Sequence, residues 1–358
     1  MGGLPEDDPW GDRKLGQKTE ELINLLKNGL WFSNAPKTKW EYSNLGYALL
    51  GYIINKITSS SYEEYIAKEI WNPLGIKDAT WDYTKIPQNQ LVHGYSWIDD
   101  HWEKEELLPA GTFGAAGGII ISLESFSKYA ILHQMAWPPR DEIEKKFIKR
   151  SSIREMHQAW SMREVIPNYQ FFENHQLALA YGYGYGLFSL RDEHNRTFVG
   201  HSGGLPGFGS NWCIMPEYGL GVIFFTNLTY VQTVKINMKV LDKIVEKTAL
   251  KPRQLPPSKI LEERQKELIA LLPTWENANN SKIFAENFFL DHKLIRLKKE
   301  TIRLFTKAGK IISIGDVIPE NQLRGHFIIK GENGNLIIKF ALTPENHPLI
   351  QQFQIKEE

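Results

Sequence analysis

The stretch Lys251-Pro-Arg-Gln-Leu-Pro-Pro-Ser258 does most to limit the folds open to this chain. Proline fixes φ and has no N–H to donate, so Pro252, Pro256 and Pro257 exclude a helix interior and a central strand. Residues 251–258 therefore read as a linker. It separates a first domain, 1–250, from a second, 259–358, and 358 residues suit two domains at about 100–200 residues each.

The two sides differ in periodicity. In the first, Leu22, Ile23, Leu25, Leu26 and Leu30 recur at helical spacing, as do Leu45, Leu49, Tyr52, Ile53 and Ile57 after Asn44. Further helices are expected over Leu123–Met135, more weakly through 140–165, and over Val234–Lys247. Between residues 76 and 118 the pattern is poor and glycines cluster, as in a long surface loop system. Tyr181–Ser189, Thr197–Val199, Gly209–Met215 and Gly219–Asn227 read as strands joined by short turns, hence an antiparallel meander. In the second domain a helix over Ile260–Leu272 precedes short strands at Lys293–Leu297, Ile302–Phe305, Ile311–Ile314, His326–Lys330 and Leu336–Phe340, a small, mainly β module. The expected class is α+β.

Charge and cysteine content exclude several functions. Lys plus Arg, at 42, equals Asp plus Glu, at 42, so no net field holds a phosphate backbone or an anionic membrane, although a local basic patch stays open. Nucleic acid is therefore not expected as the main partner. The single Cys213 rules out an intramolecular disulfide and a cysteine-rich zinc cluster, and the ten His residues never form His-Glu-x-x-His. No metal and no cofactor are expected. No apolar run approaches the roughly 20 residues needed to span a bilayer. Without a basic segment leading into an apolar one, no signal peptide is visible, so the chain as written is placed in the cytoplasm, with export of a longer relative left open.

Three local patterns carry candidate chemistry. Glu41-Tyr42-Ser43-Asn44 precedes the best helix of the first half. Ser43 or Asn44 caps that helix in the structural reading; in the functional one, Tyr42 and Asn44 face a cleft, where neighbouring cations would lower the tyrosine's pKa for proton relay. Gly200-His201-Ser202-Gly203-Gly204 matches the Gly-x-Ser-x-Gly nucleophile elbow, with Ser202 as nucleophile. That elbow needs a helix after it, and Leu205-Pro-Gly-Phe-Gly-Ser210 cannot form one; an edge strand lying beside a substrate backbone fits better. Ser125-x-x-Lys128 lies in an amphipathic helix that packing explains.

Taken together and in order, Tyr42-Ser-Asn-Leu-Gly-Tyr47, Pro73-Leu-Gly75, Ala116-Gly-Gly-Ile119 and His201-Ser-Gly-Gly-Leu-Pro-Gly207 resemble the serine beta-lactamase-like superfamily. The similar branch contains class C beta-lactamases, D-alanyl-D-alanine carboxypeptidases and related esterases. The resemblance covers about residues 1–250 and implies a beta-lactamase/transpeptidase-like domain, with the small β module resembling an appended variable domain. It implies hydrolysis of an amide, ester or peptide by acyl transfer. Tyr42 handles a proton, Asn44 orients substrate, His201, Ser202 and Gly203 form the His-x-Gly strand, and the Gly204 N–H is half of an oxyanion hole. In the family a Ser-x-x-Lys pair lies several dozen residues before the tyrosine, yet only 41 residues precede Tyr42 and none forms that pair. The expectation is an N-terminally incomplete domain, without nucleophile and inactive by itself, whose partners would include a separately encoded N-terminal fragment. Two alternatives stand beside it: a non-catalytic peptide- or peptidoglycan-binding protein, and an α/β-hydrolase esterase using Ser202.

Overall fold

The computed structural model describes residues 2–139, 144, 147–172, 175–253 and 255–358. The chain divides into two compact units, Met1–Arg253 and Gln254–Glu358.

The first unit is built on a sheet. A two-stranded hairpin, β1 (Tyr95–Ile98) and β2 (His101–Lys104), interrupts the loop system between residues 76 and 118. Six strands then follow in sequential, wholly antiparallel order: β3 (Ser161–Phe172), β4 (His175–Gly184), β5 (Leu187–Asp192), β6 (Thr197–Leu205), β7 (Phe208–Met215) and β8 (Leu220–Thr226). The expected single strand Tyr181–Ser189 is in fact a hairpin. Tyr185 and Gly186 adopt left-handed φ values of 51° and 76°, the two-residue turn whose twist suits paired strands. The weak helical pattern through 140–165 resolves into a helix at Arg150–Met156 and the start of β3, while residues 140–143, 145 and 146 lie outside the described ones. Pro167 fits in β3 because that strand is at the sheet's edge and its register shifts there.

Side chains alternate across the sheet, so each strand feeds two cores. Cys213 and Met215 join Phe171, Leu179, Phe198, Met238 and Leu241 on the face covered by the Thr233–Thr248 helix. Trp212 and Ile214 join Leu187, Val199 and Ala130 on the other face, under the Leu123–Gln134 helix. A buried ion network ties the first face together: Arg196 in the β5–β6 turn meets Asp192 at 2.6 Å and Asp242 of the Thr233–Thr248 helix at 2.8 Å. Arg253 donates to the carbonyls of Pro216 and Trp137 at 2.7 and 3.1 Å.

The second unit carries a five-stranded antiparallel sheet, in which β9 (Ile311–Ile314) and β10 (Ile318–Asn321) both pair with β11 (Arg324–Gly331), followed by β12 (Asn335–Leu342) and β13 (Ile350–Glu357). The strands expected at Lys293–Leu297 and Ile302–Phe305 are instead one helix, Leu294–Ala308. Leu297, Thr301, Leu304 and Ala308 recur at helical spacing and are buried, whereas Ile295 and Ile302 face water. Trp275 anchors the core, donating to Thr301 Oγ1 at 3.0 Å while Thr301 donates to the Pro273 carbonyl at 2.8 Å.

Candidate functional site

Two elements distant in sequence meet at one end of the six-stranded sheet. The first is the N-terminus of the Asn44–Thr58 helix. Ser43 is its cap, accepting from the Gly46 N–H at 3.1 Å. The Asp7 carboxylate completes the capping: it accepts from the Asn44 N–H at 2.6 Å, the Leu45 N–H at 2.9 Å and the Ser43 hydroxyl at 3.0 Å. A negative charge at this helix end also meets the positive pole of the helix dipole. The buried Asn44 amide donates to Asp8 Oδ1 at 3.2 Å, and Tyr42 is held just outside the first turn.

The second element is the far half of β6. The tight Pro206–Gly207 turn pairs Leu205 with Phe208, so Leu205, Gly203 and His201 direct their main-chain groups at β7, and Gly204, Ser202 and Gly200 direct theirs the other way. On that side β5 pairs only with residues 197–200. The main-chain groups of Ser202 and Gly204 thus stand at an open edge, except that the Ser202 carbonyl accepts from His201 Nδ1. From the opposite strand, Asn211 Nδ2 donates to the His201 carbonyl at 3.0 Å. Asn237 Nδ2 in turn donates to Asn211 Oδ1 at 2.7 Å, a buried amide chain that fixes β6 from behind.

The Tyr42 and His201 rings stack, with centroids 6.1 Å apart and planes 29° apart. The imidazole is fully committed. Its Nδ1–H is spent on the Ser202 carbonyl, so Nε2 is the acceptor for the Tyr183 hydroxyl at 2.9 Å. The Tyr47 hydroxyl bonds to Tyr183 in turn, which makes a relay Tyr47–Tyr183–His201. Burial holds the His201 pKa below its ordinary value, against the opposing pull of the Ser202 carbonyl and Asp8, so the ring is neutral at pH 7.

Tyr42 departs from the expectation of a cation-activated phenol. Burial, and then Asp8, Tyr47, Asp12 and Asp7, push its pKa well above 10. Tyr230 completes the acidic side. Its hydroxyl donates to Asp12 Oδ2 at 2.7 Å, its pKa is pushed up to about 12 by burial and by that bond, and its ring lies 3.0 Å from where a β-carbon on Gly204 would fall. Burial raises Asp12 as well.

Ser202 does not sit at a nucleophile elbow. Its strand runs through a tight turn into another antiparallel strand, no helix follows, and alternation puts its side chain on the face opposite His201. The α/β-hydrolase alternative is therefore wrong. The Ser125-x-x-Lys128 pair is structural: Lys128 Nζ donates to the Gly75 carbonyl at 2.9 Å and Ser125 bonds to Asp78. Asp7, Asp8, Asp12, Tyr47, Tyr183 and Tyr230 were not singled out in the sequence. Among the described residues no group of three His, Cys, Asp or Glu side chains is arranged to hold a metal ion, and no helix is long and apolar enough to cross a membrane.

Helices on both faces of an antiparallel sheet, with a Tyr-x-Asn helix end set against a His-x-Gly strand, define a protein of the serine beta-lactamase and penicillin-binding class. The chain belongs to the beta-lactamase family, whose profile, described as Beta-lactamase, matches residues 1–244. It is 25% identical over 208 residues to Unguisins hydrolase ungD' of Aspergillus campestris, covering 55% of this chain and 35% of that protein. It is 26% identical over 255 residues to Protein flp of Staphylococcus aureus, covering 68% and 43%. The chain thus spans less than half the length of these curated relatives. Among solved structures, the octameric penicillin-binding protein homologue from Pyrococcus abyssi has the same fold, with a TM-score of 0.56, 20% identity, and coverage of 99% of this chain and 71% of that one. A penicillin binding protein from Bacillus halodurans aligns at a TM-score of 0.52 and 16% identity, over 68% of this chain and 69% of its own.

Proposed function

We propose that residues 1–250, joined through 251–258 to the module 259–358, form a serine-hydrolase domain for acyl transfer from an amide, ester or peptide to water. The observation that carries this reading is the stacking of Tyr42 on His201 at the open end of β6. An acyl group laid along that edge would meet the Gly204 N–H as one oxyanion donor, with Ser202 and Gly203 beside it, while Asn44 orients the substrate and Tyr42 handles the proton. His201 acts as a neutral, positioned ring rather than a base, because both its nitrogens are occupied.

Acyl transfer needs a nucleophile, and among the described residues we assign none at this site. We therefore take the chain by itself to bind acyl ligands without turning them over, which brings it close to the non-catalytic peptide- or peptidoglycan-binding alternative. The high pKa of Tyr42 favours that state, since burial first, and then Asp8, Tyr47, Asp12 and Asp7, keep the tyrosine protonated. A cation placed beside Tyr42 would oppose the shift. The names of the relatives, a hydrolase among them, are consistent with the chemistry but leave the substrate open.

The test is hydrolysis of nitrocefin and p-nitrophenyl esters by the chain, by the chain with a family Ser-x-x-Lys segment fused before Gly3, and by that fusion carrying Tyr42→Phe. Turnover is expected only from the second, because losing a nucleophile costs on the order of 10⁶ in turnover. Ester hydrolysis by the unextended chain that survives Tyr42→Phe would overturn the reading.

A further inference from the structure

The outer face of the Leu294–Ala308 helix carries a charge pattern that the balanced total of the chain conceals. Between residues 293 and 310 stand seven cations, Lys293, Arg296, Lys298, Lys299, Arg303, Lys307 and Lys310, against one acid, Glu300. All seven cations are exposed. Lys307 is paired with Glu357 at 2.7 Å; among the described residues the other six have no ion-pair partner. At about 100° per residue, Lys299 and Arg303 lie opposite the buried Leu297–Thr301–Leu304–Ala308 stripe. Arg296 and Lys307 flank them on one side, Ile295 and Ile302 on the other. Ile295 is 84% exposed, and Leu290, just before the helix, is 68% exposed.

We propose that this face binds the surface of an anionic lipid bilayer, with the helix lying flat. The apolar stripe of this helix stays in the protein core, so the contact is mainly electrostatic: Lys and Arg stems lie along the surface and place their charges at the lipid phosphates, while the exposed Ile295 and Ile302 touch the headgroup layer. The neutral sum of the chain does not cancel the attraction, because charges beyond about 8 Å are screened at physiological salt. A nucleic acid would use the cations but would leave Ile295 and Ile302 stranded, and the outer face offers no aromatic ring on which bases could stack.

The experiment is co-sedimentation of the full chain with vesicles of phosphatidylglycerol and phosphatidylcholine, and with vesicles of phosphatidylcholine alone. Binding is expected to the first only and to weaken with salt. A cation near an anionic surface is worth about a fivefold change in partitioning, so Lys299→Glu with Arg303→Glu should lower binding at least about 25-fold. Ile295→Ser should lower it by about threefold or more through lost apolar contact. These side chains lie outside the core, and an unchanged circular dichroism spectrum verifies each variant's fold. Equal binding to neutral vesicles, or a double variant that binds like the parent, would overturn the proposal. So would duplex RNA binding as tight as vesicle binding and indifferent to Ile295→Ser.

Discussion

Acidification should weaken the first unit through one pair of side chains. His133, on the Leu123–Gln134 helix, and His157, just after Arg150–Met156, are buried with their rings stacked, centroids 5.2 Å apart. Trp137 Nε1–H donates to His157 Nδ1 at 2.9 Å, so His157 carries its proton on Nε2 and gives it to His133 Nδ1, also at 2.9 Å. Each ring accepts a hydrogen bond at the nitrogen a second proton would need. Burial, reinforced by His157, lowers His133 to about 3, and burial lowers His157 to about 4. Both folded values lie below the unfolded value near 6.5, so the unfolded chain takes up protons first. Stability is full above about pH 6.5 and is lost as pH falls towards 4 and 3. At pH 4.5 each ring forgoes about 2 pH units of proton binding, or about 3 kcal/mol, and the pair about 5 kcal/mol. That is a large share of the 5–15 kcal/mol typical of a whole domain. Urea unfolding at pH 7.0 and 4.5 should show this loss, and His133→Leu with His157→Phe should show a pH effect smaller by about 5 kcal/mol. An equal pH effect in the parent and the double variant would refute the reasoning. A His133 or His157 Cε1–H resonance titrating near 6.5 would do the same.

Other substitutions probe the site and its supports. Tyr183→Phe removes the donor to His201 Nε2, at a cost of about 1–3 kcal/mol for a buried acceptor left unpaired, and should move the ¹⁵N imidazole shifts of His201; unchanged shifts would contradict the relay. Arg196→Leu leaves Asp192 and Asp242 buried without their cation and should destabilise by about 3–5 kcal/mol, read as a lower urea midpoint; a change below 1 kcal/mol would count against the network. Asp7→Ala takes three hydrogen bonds from the helix start at Asn44 and should cost about 1–2 kcal/mol, with hydrogen exchange rising at Asn44 and Leu45. Gly200→Ala puts a β-carbon on the Trp212 carbonyl oxygen, so β6 must shift, and a resonance map should show the change centred on residues 200–204 rather than spread evenly.

Local patterns carried the helix starts into the sequence. Ser43 before an apolar-periodic run marks a cap, and the cap is where it was expected. Its strongest partner was invisible, because Asp7 lies 36 residues away from Ser43 and nothing in their spacing connects them. The relay was hidden for a related reason. Tyr183 looked like one of several ring residues in a glycine-alternating strand; only the turn at Tyr185–Gly186 folds that strand back and aligns Tyr183 with His201. The helix at Leu294–Ala308 was misread because short apolar runs between polar turns read as alternating strands, while the period of its four buried positions went uncounted. In the first domain the antiparallel meander was legible from strand-sized apolar runs and short turns. Its edge strand β3 was not, since Pro167 and charged residues break the alternation.

The open edge of β6 has a consequence for what any ligand lying there must look like. Recognition through main-chain groups does not read side chains. At about 3.3 Å per residue, the outward groups of Ser202 and Gly204 stand about 6.6 Å apart. A chain bound there would therefore be gauged by the repeat of its own amides, and its substituents would be sorted alternately to the two sides of the strand. Replacing one amide by an ester, or methylating its nitrogen, would delete a rung that no neighbouring side chain could restore. A chain of changed sequence but intact amides would still fit. On the proposed reading the edge would work as a ruler for backbone, leaving Tyr42 and His201 on one side and Tyr230 on the other to discriminate among residues.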